Sequence, residues 1–118
     1  MSDVIRIGPR LGGTVVDTGS RSVKFRFRPV CRLDEVKQLR LREYFSQYEE
    51  EQLLNRNPDV QKSQRDAELY AETKDGRTLL IAILDQAGLL LDHAMQIAQA
   101  AGQVPVVTER VHLQADRA

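Results

Sequence analysis

The chain has 118 residues and a mass of 13.4 kDa, the usual size of one domain with a modest core. Its 17 basic residues balance 17 acidic residues, so total charge favours neither a general nucleic-acid binder nor an acidic, disordered chain. The single cysteine, Cys31, excludes an internal disulfide and a paired-thiol zinc site. With His93 and His112 outside ligand spacing, we predict no metal site and no cofactor.

The charges are unevenly distributed along the chain. Residues 1–42 hold ten basic and four acidic residues, so they carry a net charge of +6 and the remainder carries −6. Such a dipolar chain suits head-to-tail or charge-complementary contacts. No export signal and no membrane span is visible in the sequence, which predicts a cytoplasmic protein at synthesis, without a membrane partner.

The first 29 residues predict an arm followed by a hairpin. Residues 1–13 contain a short β-prone run broken by glycine and proline, and we interpret them as an N-terminal arm. Residues 14–29 form two β-prone runs on either side of Gly19-Ser20, which predicts a β-hairpin. Alternation along the second run places Val23, Phe25 and Phe27 on one face and basic residues on the other.

Residues 33–102 predict a helical body. Acidic residues Asp34 and Glu35 suit a helix start, and apolar residues recur at near-helical spacing to about residue 54. A second, thinly apolar helix is expected over 60–74. The strongest prediction is one long apolar helix over 78–101. Residues 103–118 predict a C-terminal strand and tail, at a sheet edge because of Pro105.

The stretch Asp17-Thr18-Gly19, within VVDTGS, resembles the catalytic loop of the aspartic proteases. That chemistry needs two carboxylates sharing a proton, so one copy in this chain implies a homodimer of the retroviral type. The predicted helices leave no room for the flap and strands of that family. We therefore interpret Asp17 as a residue that stabilises a hairpin turn and predict no catalytic residue, with the homodimeric protease kept as an alternative function.

A cationic hairpin face is the second candidate for function. Five basic residues lie on or beside the second strand of the hairpin: Arg21, Lys24, Arg26, Arg28 and Arg32. Cations beside aromatic rings can bind phosphates while a base stacks on the ring. The alternation turns the phenylalanines away from the arginines, so nucleic-acid binding is the alternative rather than the preferred function.

The stretch from Ser22 to Val30, followed by Leu33-Asp34-Glu35-Val36, resembles the opening of the tail assembly chaperones of tailed phages. Those small proteins begin with a hairpin, an Arg-Pro step and a helix that starts near Asp-Glu, and continue as a helical body. The resemblance covers about a quarter of the chain. It implies a non-enzymatic role in assembly, with the virion as a destination, and it brings no catalytic residues.

Together these patterns predict one α+β domain spanning 1–118, with a hairpin, two to three helices and extended terminal arms. We expect a protein-interaction or assembly subunit whose partners are its own copies or other assembly subunits. Because the first half of the predicted long helix is apolar on nearly every face, the helix is either central to the fold or partly buried in an oligomer. The interface candidates are Leu80, Ile83, Leu84, Leu90, Leu91 and Met95.

Overall fold

The computed structural model describes residues 4–45 and 66–112. The first half of the chain forms a four-stranded meander in which every strand is antiparallel to the next. Its strands are β1 (Val4–Ile7), β2 (Thr14–Asp17), β3 (Ser22–Phe25) and β4 (Arg28–Arg32). Alternate residues point inward, so that Ile7, Val16, Val23 and Cys31 are buried while Lys24 is exposed.

A single turn of 3-10 helix, Leu33–Glu35, leads into a second four-stranded sheet. Its strands are β5 (Val36–Phe45), β6 (Ala67–Thr73), β7 (Thr78–Leu84) and β8 (Val106–His112). Their order across the sheet is β7-β6-β5-β8. Neighbouring strands are antiparallel except β8, which pairs in parallel with β5.

Helix α1 (Ala87–Ala100) connects β7 to β8 and packs on β1, β5 and β6. It buries a stripe at helical spacing formed by Ala87, Leu90, Ala94, Ile97 and Ala98. These side chains join the inward residues of both sheets in one core cluster. The buried Thr14 hydroxyl donates a hydrogen bond of 2.5 Å to the carbonyl oxygen of Ile81, which ties the first sheet to β7.

The predicted helical body is wrong. The described residues contain one α-helix and are mostly β, so the fold is α+β only in a loose sense. The first predicted helix is replaced by β5, in which Leu39 and Leu41 are buried and Arg40 and Arg42 lie on the opposite face. This period of two matches a half-buried strand. The rest of that predicted helix, from residue 46, lies outside the described residues.

The predicted long helix over 78–101 is also wrong. Its first part is strand β7, and α1 begins only at Ala87 after a break at Asp85 and Gln86. The apolar run at 78–84 suits a strand because β6 covers one edge while the core covers one face. Of the second predicted helix, residues 67–73 form β6, and the remainder before Asp66 lies outside the described residues.

The N-terminal segment also differs from the prediction. Residues of the predicted arm form β1, which pairs with β2, and the predicted hairpin is part of the meander. The second run of the hairpin is not one strand, because β3 ends at Phe25 and a new strand begins at Arg28. At the other end of the chain, β8 lies where a C-terminal strand was predicted, on the edge of the second sheet.

Candidate interaction site

The connection between β3 and β4 is a strained two-residue turn. Phe25 pairs with Arg28, and the intervening Arg26 and Phe27 have φ angles of 53° and 67°. Positive φ at both positions is the type I′ combination, which favours Asn-Gly because larger residues are disfavoured there. Phe27 is nevertheless 71% exposed, so a large aromatic side chain faces solvent from a backbone conformation that is unfavourable for it.

A second exposed apolar side chain lies on the neighbouring loop at the same end of the sheet. The backbone N–H of Arg26 donates to the carbonyl oxygen of Gly13 at 3.1 Å, which joins the turn to the loop 8–13. Leu11, on that loop, is 77% exposed. The loop is tightly folded, since a Cβ at Gly13 would lie 2.4 Å from the carbonyl oxygen of Pro9. We call Arg10, Leu11, Arg26, Phe27 and Arg28 the tip.

The tip is cationic as well as apolar. The guanidinium of Arg26 lies 4.9 Å from the centre of the Phe25 ring. Within the described part of the chain, no carboxylate lies within ion-pair distance of Arg10, Arg26 or Arg28. These positive charges are therefore available to a binding partner.

An open cleft of about 610 Å³ adjoins the loop 8–13 at Pro9. Its apolar wall is formed by Pro9, Ala67, Ile83 and Leu84, and its polar groups come from Tyr44, Asp66, Glu68 and Asp85. Glu68 accepts hydrogen bonds from the hydroxyls of Tyr44 and Tyr70, the latter at 3.0 Å. The hydrogen bond to Glu68 raises the pKa of Tyr44, and burial raises that of Tyr70.

The carboxylates of the cleft carry no compensating cation in the described residues. Asp66 and Asp85 are exposed, and neither they nor Glu68 lies within ion-pair distance of any described lysine or arginine. The cleft, defined by the eight described residues that line it, is therefore acidic with an apolar wall. Its character is complementary to that of the tip.

The solvent face of the second sheet is charged but internally neutralised. Arg40 Nε lies 2.6 Å from Glu72 Oε1, and Arg42 forms an ion pair with Glu109. The Arg42 guanidinium also lies 5.0 Å from the centre of the Tyr70 ring. The hydrogen bond from Arg40 lowers the pKa of Glu72. Because these charges pair with each other, this face is a weaker binding candidate than the tip.

The five predicted basic-face residues do not share one face. Arg21 is held by Asp34 at 2.5 Å and reaches the carbonyl oxygen of Ala100 at 3.5 Å, where it complements the C-terminal end of α1. Arg32 lies 3.6 Å from Asp34. Arg26 and Arg28 belong to the tip, and Lys24 projects from the outer face of β3. The tip thus keeps two of the five and places Phe27 beside them.

The six predicted interface residues are divided between β7 and α1. Leu90 is fully buried in the core, and three others are half-buried: Leu80, Leu84 and Leu91. Ile83 is 40% exposed in the wall of the cleft. Met95 is 57% exposed and lines a separate groove between α1 and the start of β8.

Asp17 stabilises the connection between β2 and β3, as predicted. Its carboxylate accepts hydrogen bonds from the backbone N–H groups of Gly19 at 2.9 Å and Ser20 at 3.2 Å. Cys31 is buried, and desolvation raises its pKa to about 11. A thiol with this pKa is almost fully protonated at neutral pH.

Sequence reasoning missed Leu11, Asp66 and Asp85 and gave Phe27 the wrong environment. The sequence signal for the cleft was weak, because the described residues that line it come from four separated segments. The described residues contain no cluster of potential metal ligands and no helix long and apolar enough to cross a bilayer. Comparison with protein-family models, curated proteins and solved structures gives no significant match.

Proposed function

We propose that this chain is a non-enzymatic protein-interaction subunit that binds its partner through the tip. One observation supports this above others: Phe27 is held 71% exposed at a φ of 67°, in a turn that is hydrogen-bonded to the loop carrying the 77% exposed Leu11. Strain of this kind persists only where the surrounding structure imposes it, and such positions cluster at binding sites. Exposed aromatic and arginine side chains are the residues that contribute most to protein interfaces.

An assembly role does not depend on the resemblance to phage tail assembly chaperones. The helical body implied by that resemblance is replaced by a sheet in the described residues. What supports assembly is the pair of solvent-facing apolar groups, Leu11 and Phe27, at one end of the hydrogen-bonded meander. A residue whose backbone is already folded loses little backbone entropy on binding, which favours affinity from a small contact area.

The proposal is tested by placing a photo-crosslinking phenylalanine analogue at position 27 in the full chain and irradiating living cells that express it. We expect one discrete protein adduct, identified by mass spectrometry, which is lost when Leu11→Ser is added. The matched control carries the analogue at Lys74, an exposed position in the turn between β6 and β7. The proposal fails if position 27 yields no protein adduct beyond the level at position 74.

Nucleic-acid binding is the second candidate, and the juxtaposition of Phe27 with Arg26 and Arg28 favours it. An exposed ring with arginine as its neighbour on both sides in the chain suits stacking on an unpaired base while the guanidinium groups contact phosphates. This function predicts salt-sensitive binding to single-stranded DNA or RNA, measured by fluorescence anisotropy. Arg26→Ala with Arg28→Ala would reduce both the affinity and the salt dependence. Affinity unchanged by these substitutions would contradict the hypothesis.

A further inference from the structure

The tip and the cleft are complementary in chemistry. The tip presents an aromatic and an aliphatic side chain with three arginines, and the cleft presents an apolar wall with three carboxylates. Neither set is neutralised by described residues of its own chain. A partner that is both cationic and apolar would therefore complement the cleft. The chain itself carries such a surface.

The tip and the cleft are also neighbours, because both adjoin the loop 8–13. Gly13, in this loop, accepts the hydrogen bond from Arg26 in the tip. Pro9, in the same loop, lines the cleft, and the Cβ position of Gly8 lies 3.8 Å from the carbonyl oxygen of Ile83. The two surfaces therefore adjoin one loop and together are self-complementary in charge and polarity. A self-complementary surface is the requirement for a twofold interface, in which each copy gives and receives the same contact.

Building on the proposed function, we propose that the partner at the tip is a second copy of this chain. In a twofold dimer, the tip of each copy enters the cleft of the other, and Phe27 packs on the apolar wall that includes Ile83. Arg26 and Arg28 then lie against the carboxylates of Asp66 and Asp85. Because of the twofold symmetry, the contact between tip and cleft occurs twice in the dimer, and both contacts contribute to its stability.

The dimer is tested by measuring the mass of the purified full chain by light scattering over a range of concentrations. Charge reversal provides the sharp test. We expect Arg28→Glu, in the tip, and Asp85→Arg, in the cleft, each to weaken dimerisation by more than about tenfold. The matched control Lys74→Glu reverses a charge at the opposite end of the β6–β7 hairpin and should leave the mass unchanged.

Complementation distinguishes a specific contact from misfolding. An equimolar mixture of the Arg28→Glu and Asp85→Arg variants retains one native contact and gains one reversed ion pair, so we expect it to dimerise more tightly than either variant alone. The double variant, with both reversals in one chain, should also dimerise. High salt should weaken the wild-type dimer, since its contacts are charged and partly exposed.

Several results would overturn the dimer. A wild-type chain that stays monomeric at millimolar concentration would refute it, as would growth beyond dimers, which indicates a head-to-tail contact. If residues 46–65 of the same chain occupied the cleft instead, Asp85→Arg would lower the thermal stability and leave the mass unchanged. A monomer that still gives a discrete adduct with another protein at position 27 would refute the dimer and leave the proposed function standing.

Discussion

The left-handed backbone at Phe27 makes a stability prediction whose sign is unusual. At an ordinary position, replacing alanine by glycine costs about 0.4–1 kcal/mol because the unfolded chain gains freedom. At a φ of 67°, any residue with a Cβ also carries a strain of roughly 1–2 kcal/mol that glycine avoids. The strain exceeds the entropy term, so Phe27→Gly should be more stable than Phe27→Ala by about 0.5–1 kcal/mol. Comparing two substitutions that both remove the ring cancels its packing contribution.

The assay is urea unfolding of the two variants followed by circular dichroism, with the free energy of unfolding extrapolated to water. The control is the same pair of substitutions at Lys74, which is exposed and has no positive φ. There the order should reverse, with the alanine variant the more stable. If Phe27→Ala is as stable as Phe27→Gly, the left-handed turn is not the conformation in solution, and the reasoning about a preformed tip is refuted.

Three further predictions concern groups away from the tip. Asp17→Ala should lower the free energy of unfolding by about 1 kcal/mol in a urea titration because two turn amides lose their acceptor, whereas Asp17→Asn should lower it less. Equal decreases in the two variants, or no decrease in either, would contradict the role of Asp17 in the turn. Cys31 should react with Ellman's reagent at pH 8 only as fast as the chain unfolds. Because its folded pKa of about 11 exceeds the unfolded value of 9.0, the free energy of unfolding should also fall as pH rises above 9. The Cys31→Ala variant should show less of this fall. Glu72→Gln should lower the free energy of unfolding by less than about 1 kcal/mol at pH 7, since exposed ion pairs contribute little. Because the folded pKa of Glu72 lies below its ordinary value, the wild type should lose this contribution as pH falls below about 4.5. Urea midpoints that fall equally with acid in the variant and the wild type would contradict the ion pair between Glu72 and Arg40.

The strands of the second sheet could have been predicted in part from the sequence. Leu39 and Leu41 alternate with Arg40 and Arg42, which is the pattern of a half-buried strand, although the same apolar residues also fit a helix with residues further along. The acidic Glu35 favoured the helix because it resembled a helix start. In the structure it pairs with Arg77 at 2.8 Å and accepts a hydrogen bond from the Arg32 backbone, so its role is in tertiary contacts and a single 3-10 turn.

The continuous apolar run of β7 has neither the period of a strand nor that of a helix, so its own residues do not decide between the two structures. Its pairing with β6 fixes the strand, and that pairing cannot be read from the run itself. The turn at Arg26 and Phe27 was missed for a different reason. A type I′ turn is recognised in sequence by Asn-Gly, and neither residue gives that signal. Conversely, the connection at Asp17 was predictable, because Asp, Gly and Ser are common turn residues and an Asp side chain often accepts hydrogen bonds from backbone N–H groups two or three residues further on.

The parallel pairing of β8 with β5 has a consequence for how the protein is made. Leu39 finds its partner Val106 only after β6, β7 and α1 have been synthesised, so the second sheet closes with one of the last described segments. Such non-local pairing slows folding, because the chain loses the entropy of loop closure before the strand contacts form. Until Val106 leaves the ribosome, β5 presents an unpaired edge to its surroundings. The nascent chain therefore passes through a period in which its largest sheet is open to pairing with other chains.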